Sequence, residues 1–214
     1  FGHACGRCWQ RTNILSQGTL LCEKCGDTSF HKDSLTHAFC TQCDGYAYDR
    51  ARSAAIYEWA VRASVIRLKT DQHPARRTRD LIRTEFEASG LGPHDIIIPV
   101  PLAPQRKLER GFNQAEIIAA QIAKIDRTPI DMLSLSRTVH TPIHRAGMDR
   151  KARERTVEKA FDVTRPNRVK GRRVLLVDDV LTSGATAAAC AAVLKKSGAA
   201  AVNVFTLARA AKLF

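Results

Sequence analysis

Two adjacent carboxylates, Asp178 and Asp179, directly follow the apolar run 174–177. Such a run predicts a strand that is buried on both faces, as in parallel sheets covered by helices. Ligands of open α/β sheets bind at the carboxyl edge of the strands, and we expect the two acids at that edge. Carboxylates there suit the hydroxyl groups of a sugar, or a divalent cation held through water.

Small polar residues come next, at 182–186, and they open an alanine-rich segment that predicts a helix through about Lys196. Amide groups, hydroxyl groups and a helix N-terminus would converge at this point, and together they suit a phosphate. The helix end supplies about half a unit of positive charge. Gly184 permits a close backbone approach or a positive φ. The alternative is a core strand followed by a helix that Thr182 or Ser183 caps.

Two other classes of phosphate-handling protein fit the pattern poorly. A Walker B strand also ends in acids, but the 214 residues contain no GxxxxGK[ST] string, which disfavours an NTPase. Receiver domains also begin with a strand that ends in paired aspartates. Their phosphoacceptor lies a further strand-helix-strand downstream, and the 35 residues after Asp179 leave too little room for that arrangement.

The stretch VLLVDDVLTSGAT at 174–186 matches, position by position, the phosphoribosyl-diphosphate (PRPP) signature of type I phosphoribosyltransferases. The resemblance implies that the two acids hold the ribose 2′- and 3′-hydroxyls and that the next residues wrap the 5′-phosphate. The PRPP-binding residues that it implies are Asp178, Asp179, Val180, Leu181, Thr182, Ser183, Gly184, Ala185 and Thr186.

A second stretch, IPVPLAPQRKLERGFNQAE at 98–116, resembles the ComF family, a competence-associated branch of these proteins, through its PVPL…R…RGFNQ pattern. The resemblance covers nearly the whole chain. It implies Mg²⁺-dependent transfer of phosphoribosyl from PRPP to a nitrogen acceptor, with Asp178, Asp179, Arg106 and Arg110 as the catalytic residues. The diphosphate loop that it implies includes Pro101, Leu102, Arg106, Arg110 and Asn113. The polar segment 140–161 matches the mobile loop that closes such sites.

Six of the seven cysteines lie in the first 43 residues as three CxxC pairs, with 13 and 14 residues between successive pairs. The pairs are Cys5 and Cys8, Cys22 and Cys25, and Cys40 and Cys43. This spacing predicts a zinc ribbon rather than disulfides, because CxxC clusters in a cytosolic protein typically bind metal. The lone Cys190 is most simply a small core residue.

Six thiolates do not divide into closed four-ligand sites. One arrangement joins the first two pairs and leaves Cys40 and Cys43 to recruit His31 or His37. The other joins the last two pairs, as in ComF relatives, where they directly precede the DRARSA segment. The sequence leaves both open.

The remaining pattern predicts a doubly wound, mostly parallel α/β sheet over 49–214, preceded by a small zinc-ribbon module at 1–48. The predicted strands are 95–101 (a central strand), 132–136, 160–163, 174–177 and 201–207. The resemblance implies a further, edge strand at 51–57, where periodicity alone would also allow a helix over 51–69. Besides the alanine-rich helix, the predicted helices are 58–69, 75–88 and about 113–125, with Asn113 as the cap of the last.

The net charge of +13 indicates an anionic partner. Three basic clusters contribute to it: Arg62, Arg67, Lys69, Arg76, Arg77, Arg79 and Arg83; Arg145, Arg150, Lys151, Arg153 and Arg155; and Arg165, Arg168, Lys170, Arg172 and Arg173. A solvated surface is the plainer explanation. Single-stranded DNA fits what the competence branch implies, but aromatic residues make up only 6% of the chain, so the contacts would be electrostatic.

A non-catalytic scaffold or DNA-binding protein that retains a PRPP pocket is therefore the alternative to a transferase. No apolar stretch approaches the ~20 residues of a membrane span. At 44% hydrophobic and 26% charged residues the chain is globular. We expect a soluble, cytoplasmic protein that forms a homodimer or binds a partner of the competence machinery.

Overall fold

A parallel four-stranded sheet forms the centre of the computed structural model, which describes residues 4–16, 21–28, 40, 43–138 and 160–210. Its strands stand in the order β1-β6-β5-β2. They are β1 (Arg50–Ile56), β2 (Ile96–Pro99), β5 (Arg173–Leu181) and β6 (Ala201–Arg209). A separate antiparallel hairpin joins β3 (Leu135–Arg137) to β4 (Phe161–Val163).

Helices cover both faces of this sheet. They are α1 (Gly6–Gln10), α2 (Trp59–Arg67), α3 (Arg76–Ala88), α4 (Pro104–Arg110), α5 (Gln114–Asp126), α6 (Pro166–Val169) and α7 (Ala185–Lys196). On one face, α2, α3 and α5 bury apolar side chains against β2, β5 and β6. On the other face, α7 and the β3–β4 hairpin do the same. The predicted doubly wound α/β fold is thereby confirmed.

The strand segments are apolar because helices or the hairpin cover both faces of the sheet. Leu175 and Phe205 are fully buried on the α5 face, while Leu176 and Val204 are fully buried on the α7 face. A strand covered on both faces has no solvent side to which a polar residue could turn. Cys190 is buried in α7 within the same core, as the sequence predicts.

Strand β5 is longer than the sequence predicts. The acids at 178 and 179 were expected just beyond a strand ending at Val177, but the strand includes them and ends at Leu181. The reason is pairing, because β6 continues alongside and brings Arg209 opposite Leu181. The polar residues that predicted an end are therefore held in extended backbone by a neighbouring strand.

Three further predictions need correction. Residues 104–110, expected as loop, form α4, for which Pro104 supplies a favourable first residue. The strand predicted at 132–136 begins only at Leu135, because the Asp131 carboxylate accepts N–H bonds from Leu133 and Ser134 and forms a turn. The strand at 95–101 was predicted as central, but β2 is the last of the four, with an isolated bridge between Ile97 and Ile130 beyond it.

The cysteine-rich region packs directly on the sheet. Cys22, Cys25 and Cys43 belong to the same buried cluster as the residues of β5, β6 and α7. Backbone bonds tie it to β1, since the Ala51 N–H donates to the Lys24 carbonyl at 2.6 Å. The boundary at residue 48 remains a prediction. The predicted mobile loop through residue 159, and His31 and His37, lie outside the described residues.

In the described part of the chain, no helix has both the length and the apolar character needed to cross a bilayer.

Asn113 connects the end of β2 to α5. Its side-chain oxygen accepts the Ala115 N–H at 3.1 Å, and its amide donates to the Val100 carbonyl at 2.9 Å. The residue is buried, so water cannot replace either bond. Asn113 therefore caps the helix, as the sequence predicts, and also closes the connection that begins at Pro101.

We predict that Asn113→Ala lowers the free energy of unfolding by about 2–3 kcal/mol, because it removes a helix cap and leaves a buried carbonyl without its donor. Asn113→Asp keeps the cap acceptor but turns a buried carboxylate oxygen toward the Val100 carbonyl, and it should therefore lose stability as well. Urea unfolding at equilibrium measures both changes. Gln72→Ala, in an exposed loop, is the control. Equal stability of Asn113→Ala and the control would contradict this role.

Candidate functional site

The two acids of β5 lie at the carboxyl edge of the sheet and interact with each other. Both are partly buried, and the Asp178 carboxylate accepts the Asp179 N–H at 2.8 Å. Burial, followed by repulsion from Asp179, raises the pKa of Asp178 well above its ordinary value, and the positive charge of Arg137 only partly opposes this shift. The pair therefore holds a carboxyl group whose ionisation a bound cation or hydroxyl donor would favour.

Arg137 is a site residue that the sequence analysis does not predict. It is the last residue of β3, and its guanidinium lies 5.4 Å from the centre of the Phe161 ring. Burial, and then the positive charge of Arg106, lowers the pKa of Arg137, while Asp178 raises it. Two arginines and an acid thus lie near one another at the sheet edge. Cys190 is also close, because the charge of Asp178 adds to burial in raising the pKa of its thiol.

The turn at 182–186 joins β5 to the N-terminus of α7. Thr182 and Ser183 are exposed, whereas Gly184 is buried and precedes the helix with a φ of +84°. A residue with a side chain rarely adopts this φ, and its Cβ would also crowd the ring of Tyr46, since it would lie 3.0 Å from Cε2 of that ring. The glycine therefore allows a 12-residue helix to begin at the sheet edge, with the N–H groups of its first turn at that edge.

The connection after β2 lies beside β5. Pro99 pairs with Val177, and the Val100 N–H donates to the Val177 carbonyl at 2.8 Å, so Pro101 and Leu102 start level with the acids. Arg106 is exposed on α4, and Arg110 is partly buried at its last position. The structure thus brings both sequence segments that resemble phosphoribosyltransferases to one edge.

Four cysteines form a cluster on the α7 face of the sheet. The Sγ atoms of Cys22, Cys25, Cys40 and Cys43 all lie within 4.8 Å of one another. Neighbouring Sγ atoms are 3.4 to 3.7 Å apart, close to the roughly 3.8 Å edge of a tetrahedron with Zn–S bonds of about 2.3 Å. Number, chemistry and spacing of the donors therefore fit a tetrahedral metal ion such as zinc.

Backbone amides and a buried arginine favour the negatively charged thiolate form of these cysteines. Burial raises the pKa of the Cys22 thiol, but N–H groups that include those of Cys25 and Cys40 outweigh it and lower that pKa to about 7. Burial raises the pKa of Cys25 to about 12, against the opposing positive charge of Arg209. Because a metal binds thiolates, it would have to displace the proton of Cys25.

Of the two ligand sets that the sequence leaves open, the structure assembles the set from the last two pairs. Cys5 and Cys8 lie near each other, with 3.5 Å between their Sγ atoms, but they are not part of the four-cysteine group. Cys5 is exposed directly before α1, and Cys8 is partly buried within that helix.

Sequence reasoning misses four residues around the two sites, namely Tyr46, Tyr48, Arg137 and Arg209. A signal existed for Arg137, because side chains alternate along a strand and place residue 137 on the same face as the buried Leu135. The predicted strand ended at 136 and left that arginine out. The chain offers no local signal that connects the tyrosines or Arg209 to positions more than a hundred residues away.

Similar proteins are found among both sequences and structures. The model of the phosphoribosyl transferase domain matches residues 108–213. The DNA utilization protein YhgH of Escherichia coli O157:H7 is 30% identical over 88% of this chain and 84% of its own length. Competence protein ComFC of Bacillus subtilis is 28% identical over 88% of this chain and 78% of its own length.

Among solved structures, a glutamine phosphoribosylpyrophosphate amidotransferase of B. subtilis is 19% identical, with a TM-score of 0.41, and the match covers 60% of this chain and 26% of that chain. The two relatives match over 84% and 78% of their own length, and the domain match contains the β5 acids and the turn after them. The chain therefore belongs to the ComF family of phosphoribosyltransferase-like proteins.

Proposed function

We propose that the chain binds PRPP at the carboxyl edge of the sheet and transfers its phosphoribosyl group to a nitrogen acceptor. One observation carries the proposal, namely that β5 delivers two partly buried acids directly into a turn whose Gly184 opens the N-terminus of α7. Acids next to amide donors provide acceptors for ribose hydroxyls and donors for a phosphate within one site.

The phosphate end of the ligand would bind at residues 182–186, which we call the phosphate loop. The amides of the first helical turn and the hydroxyls of Thr182, Ser183 and Thr186 would be its donors. Without a ligand, the Ala185 N–H donates to the Ser183 hydroxyl at 3.4 Å. The ribose would lie over Asp178 and Asp179, whose ionised carboxylates accept hydrogen bonds from the 2′- and 3′-hydroxyls. A hydroxyl bound in this way also favours the charged form of Asp178 over the protonated one.

The diphosphate would lie on the side of β2, where the positive charges of Arg106 and Arg137 are close enough to affect each other. Charge-assisted hydrogen bonds from guanidinium groups suit diphosphate oxygens, and Arg110 is the last residue of α4 in the same connection. Asp178 and Asp179 are the residues that would hold Mg²⁺ at this site, and the bound ion would supply positive charge that offsets the charge of the departing diphosphate.

In the transfer, the bond between the anomeric carbon and diphosphate breaks, and diphosphate leaves with the bonding electrons. The acceptor nitrogen forms the new bond to that carbon and then releases a proton to water. Arg106 and Arg137 would stabilise the leaving group, while Asp178 and Asp179 would fix the sugar so that its anomeric carbon faces the acceptor.

We predict that Asp178→Asn weakens PRPP binding in the presence of Mg²⁺ by about 10- to 100-fold, because a hydrogen bond to a charged group contributes roughly 1.5–3 kcal/mol. Asp179→Asn should weaken it similarly. Calorimetry measures the affinity, and Asp80→Asn on the distant helix α3 is the matched control. Unchanged affinity in both β5 variants, beside a wild type that binds, would refute the ribose assignment.

The same Asp178→Asn protein should be more stable than wild type when no ligand is present. Folding raises the pKa of Asp178, so the ionised carboxyl is less stable in the folded chain than in the unfolded chain. The resulting loss of folding free energy is complete above the pKa of the folded state and disappears as the pH falls toward about 4. At pH 8 we expect a thermal midpoint about 2–4 °C higher for each kcal/mol recovered, and no difference at pH 4. A variant less stable at pH 8 would mean that Asp178 is structural.

We also propose that the four-cysteine cluster binds one zinc ion. Cys22→Ser or Cys43→Ser should abolish zinc retention, measured by elemental analysis, because three thiolates leave the tetrahedron open. Cys5→Ser/Cys8→Ser is the matched control and should retain about one zinc per chain. Loss of zinc from the control protein, or its retention after Cys43→Ser, would contradict this ligand set.

Binding of single-stranded DNA is the second candidate function. Exposed arginines on the neighbouring helices α2 and α3 favour it: Arg62, Arg67, Arg76, Arg77, Arg79 and Arg83. Acidic side chains neutralise part of this charge, because Asp71 pairs with Arg67 at 2.9 Å and Asp80 lies 3.7–3.8 Å from both Arg76 and Arg83. Six arginines against these two acids still leave an excess of positive charge on the two helices. Relatives named for DNA utilization and competence agree with a DNA-handling role.

Arg76→Glu/Arg77→Glu should weaken binding to a single-stranded oligonucleotide at least tenfold at low salt and reduce the slope of log affinity against log salt by about 1.4, which is two phosphate contacts. Arg79 is kept, because it donates to the Pro74 carbonyl at 3.0 Å and supports the start of α3. Lys124→Glu/Lys196→Glu makes the same change in net charge elsewhere. If both double variants weaken oligonucleotide binding equally, the binding depends only on net charge and the α2–α3 surface is not a specific site.

A further inference from the structure

The phosphate loop rests on two aromatic side chains from the cysteine-rich region. The Tyr46 hydroxyl donates to the Ser183 carbonyl at 2.6 Å. A Cβ at position 184 would lie 3.0 Å from Cε2 of Tyr46 and 3.3 Å from the Tyr48 hydroxyl oxygen, so the glycine lies directly against both residues. The two rings support each other, with 5.4 Å between their centres. The main chain of the loop is thus held from behind by Tyr46 and Tyr48.

These tyrosines are in turn held by the four-cysteine cluster. Tyr46 follows Cys43 by three residues, and its N–H donates to the Cys43 carbonyl at 3.1 Å. Tyr48 is 2% exposed and packs in the same buried cluster as Cys22, Cys25 and Cys43. A metal ion that fixes the Cys43 thiolate therefore fixes the start of the five-residue path to Tyr48.

A second connection reaches the loop through the sheet. The Arg209 guanidinium donates to the Cys25 carbonyl at 2.7 Å and lies 3.2 Å from the Asp27 carboxylate. The side chains of Arg209 and Asp27 are both buried. Arg209 pairs with Leu181, the residue immediately before the loop. A divalent ion with four thiolates carries two net negative charges in this interior, and a buried cation beside them offsets part of that charge.

We propose that Tyr46 is a positioning residue through which the metal-bound cysteine cluster holds the phosphate loop in its binding geometry. The inference rests on the proposed function, because it assigns an effect on phosphate affinity to a residue that does not contact the ligand. A preformed loop binds an anion without first ordering its amides. Losing the Tyr46 bond, or the metal that anchors its segment, would therefore weaken binding with every ligand-contacting group still present.

The test compares wild type, Tyr46→Phe and Tyr57→Phe, all as full chains with metal bound. Tyr46→Phe keeps the ring on Gly184 and removes the hydroxyl that donates to the Ser183 carbonyl. Tyr57 packs on the opposite face of the sheet and is the matched control. The two measurements are calorimetry with ribose 5-phosphate and hydrogen exchange of the amides at 182–188.

We expect Tyr46→Phe to bind ribose 5-phosphate about three- to tenfold more weakly, which is the effect of one hydrogen bond, and to exchange the 182–188 amides faster by a similar factor. Tyr57→Phe should match wild type in both measurements. A variant whose loop exchange and affinity both equal those of wild type would overturn the proposal.

The second part of the experiment removes the metal from wild type and from Tyr46→Phe. If the cluster acts through Tyr46, stripping the metal should speed loop exchange less in Tyr46→Phe than in wild type, so that the two effects are not additive, and the effect that remains in Tyr46→Phe is the part carried by Arg209. Full additivity would mean that the metal acts by another route and would contradict the proposal. If none of the three proteins binds ribose 5-phosphate, the proposed function is wrong. Hydrogen exchange of the loop amides then still tests the role of Tyr46.

Discussion

Parallel pairing of β5 with β2 on one side and with β6 on the other is the constraint on which the candidate site depends. Strands that run in the same direction all end at one edge, so residues far apart in sequence meet there. Asp178 and Asp179 come from β5, Arg106 from the helix after β2, and Arg209 from the last position of β6. The charges at this edge follow from that pairing.

The cysteine cluster is an integral part of this edge and not only an appended module. Its buried thiols share a core with β5, β6 and α7, and the Arg209 bond links it to the sheet. The segment after Cys43 is fixed at its far end as well, because the Asp49 carboxylate accepts the Val202 N–H at 2.6 Å and pairs with Lys195 at 2.8 Å. A segment anchored at both ends can hold Tyr46 against the turn with little freedom.

Local sequence predicts most of the fold, because apolar runs and caps report burial directly. The runs at 96–98 and 174–177 predict two-sided strands, and Asn113 predicts the start of α5. Long-range contacts escape this reasoning. Pairing with β6 extends β5 past its acids, and the Tyr46 contact with Ser183 spans 137 positions. The spacing of six cysteines also allowed two ligand sets, and only the folded chain brings one of them together.

The measurement that tests the central claim most directly is a crystal structure of the chain with PRPP and Mg²⁺. The account predicts the 5′-phosphate within about 2.7–3.2 Å of the amide nitrogens at the start of α7, and the ribose hydroxyls on Asp178 and Asp179. Electron density that places the phosphate elsewhere, for example on the arginines of α3, with the turn at 182–186 free of ligand, would contradict it.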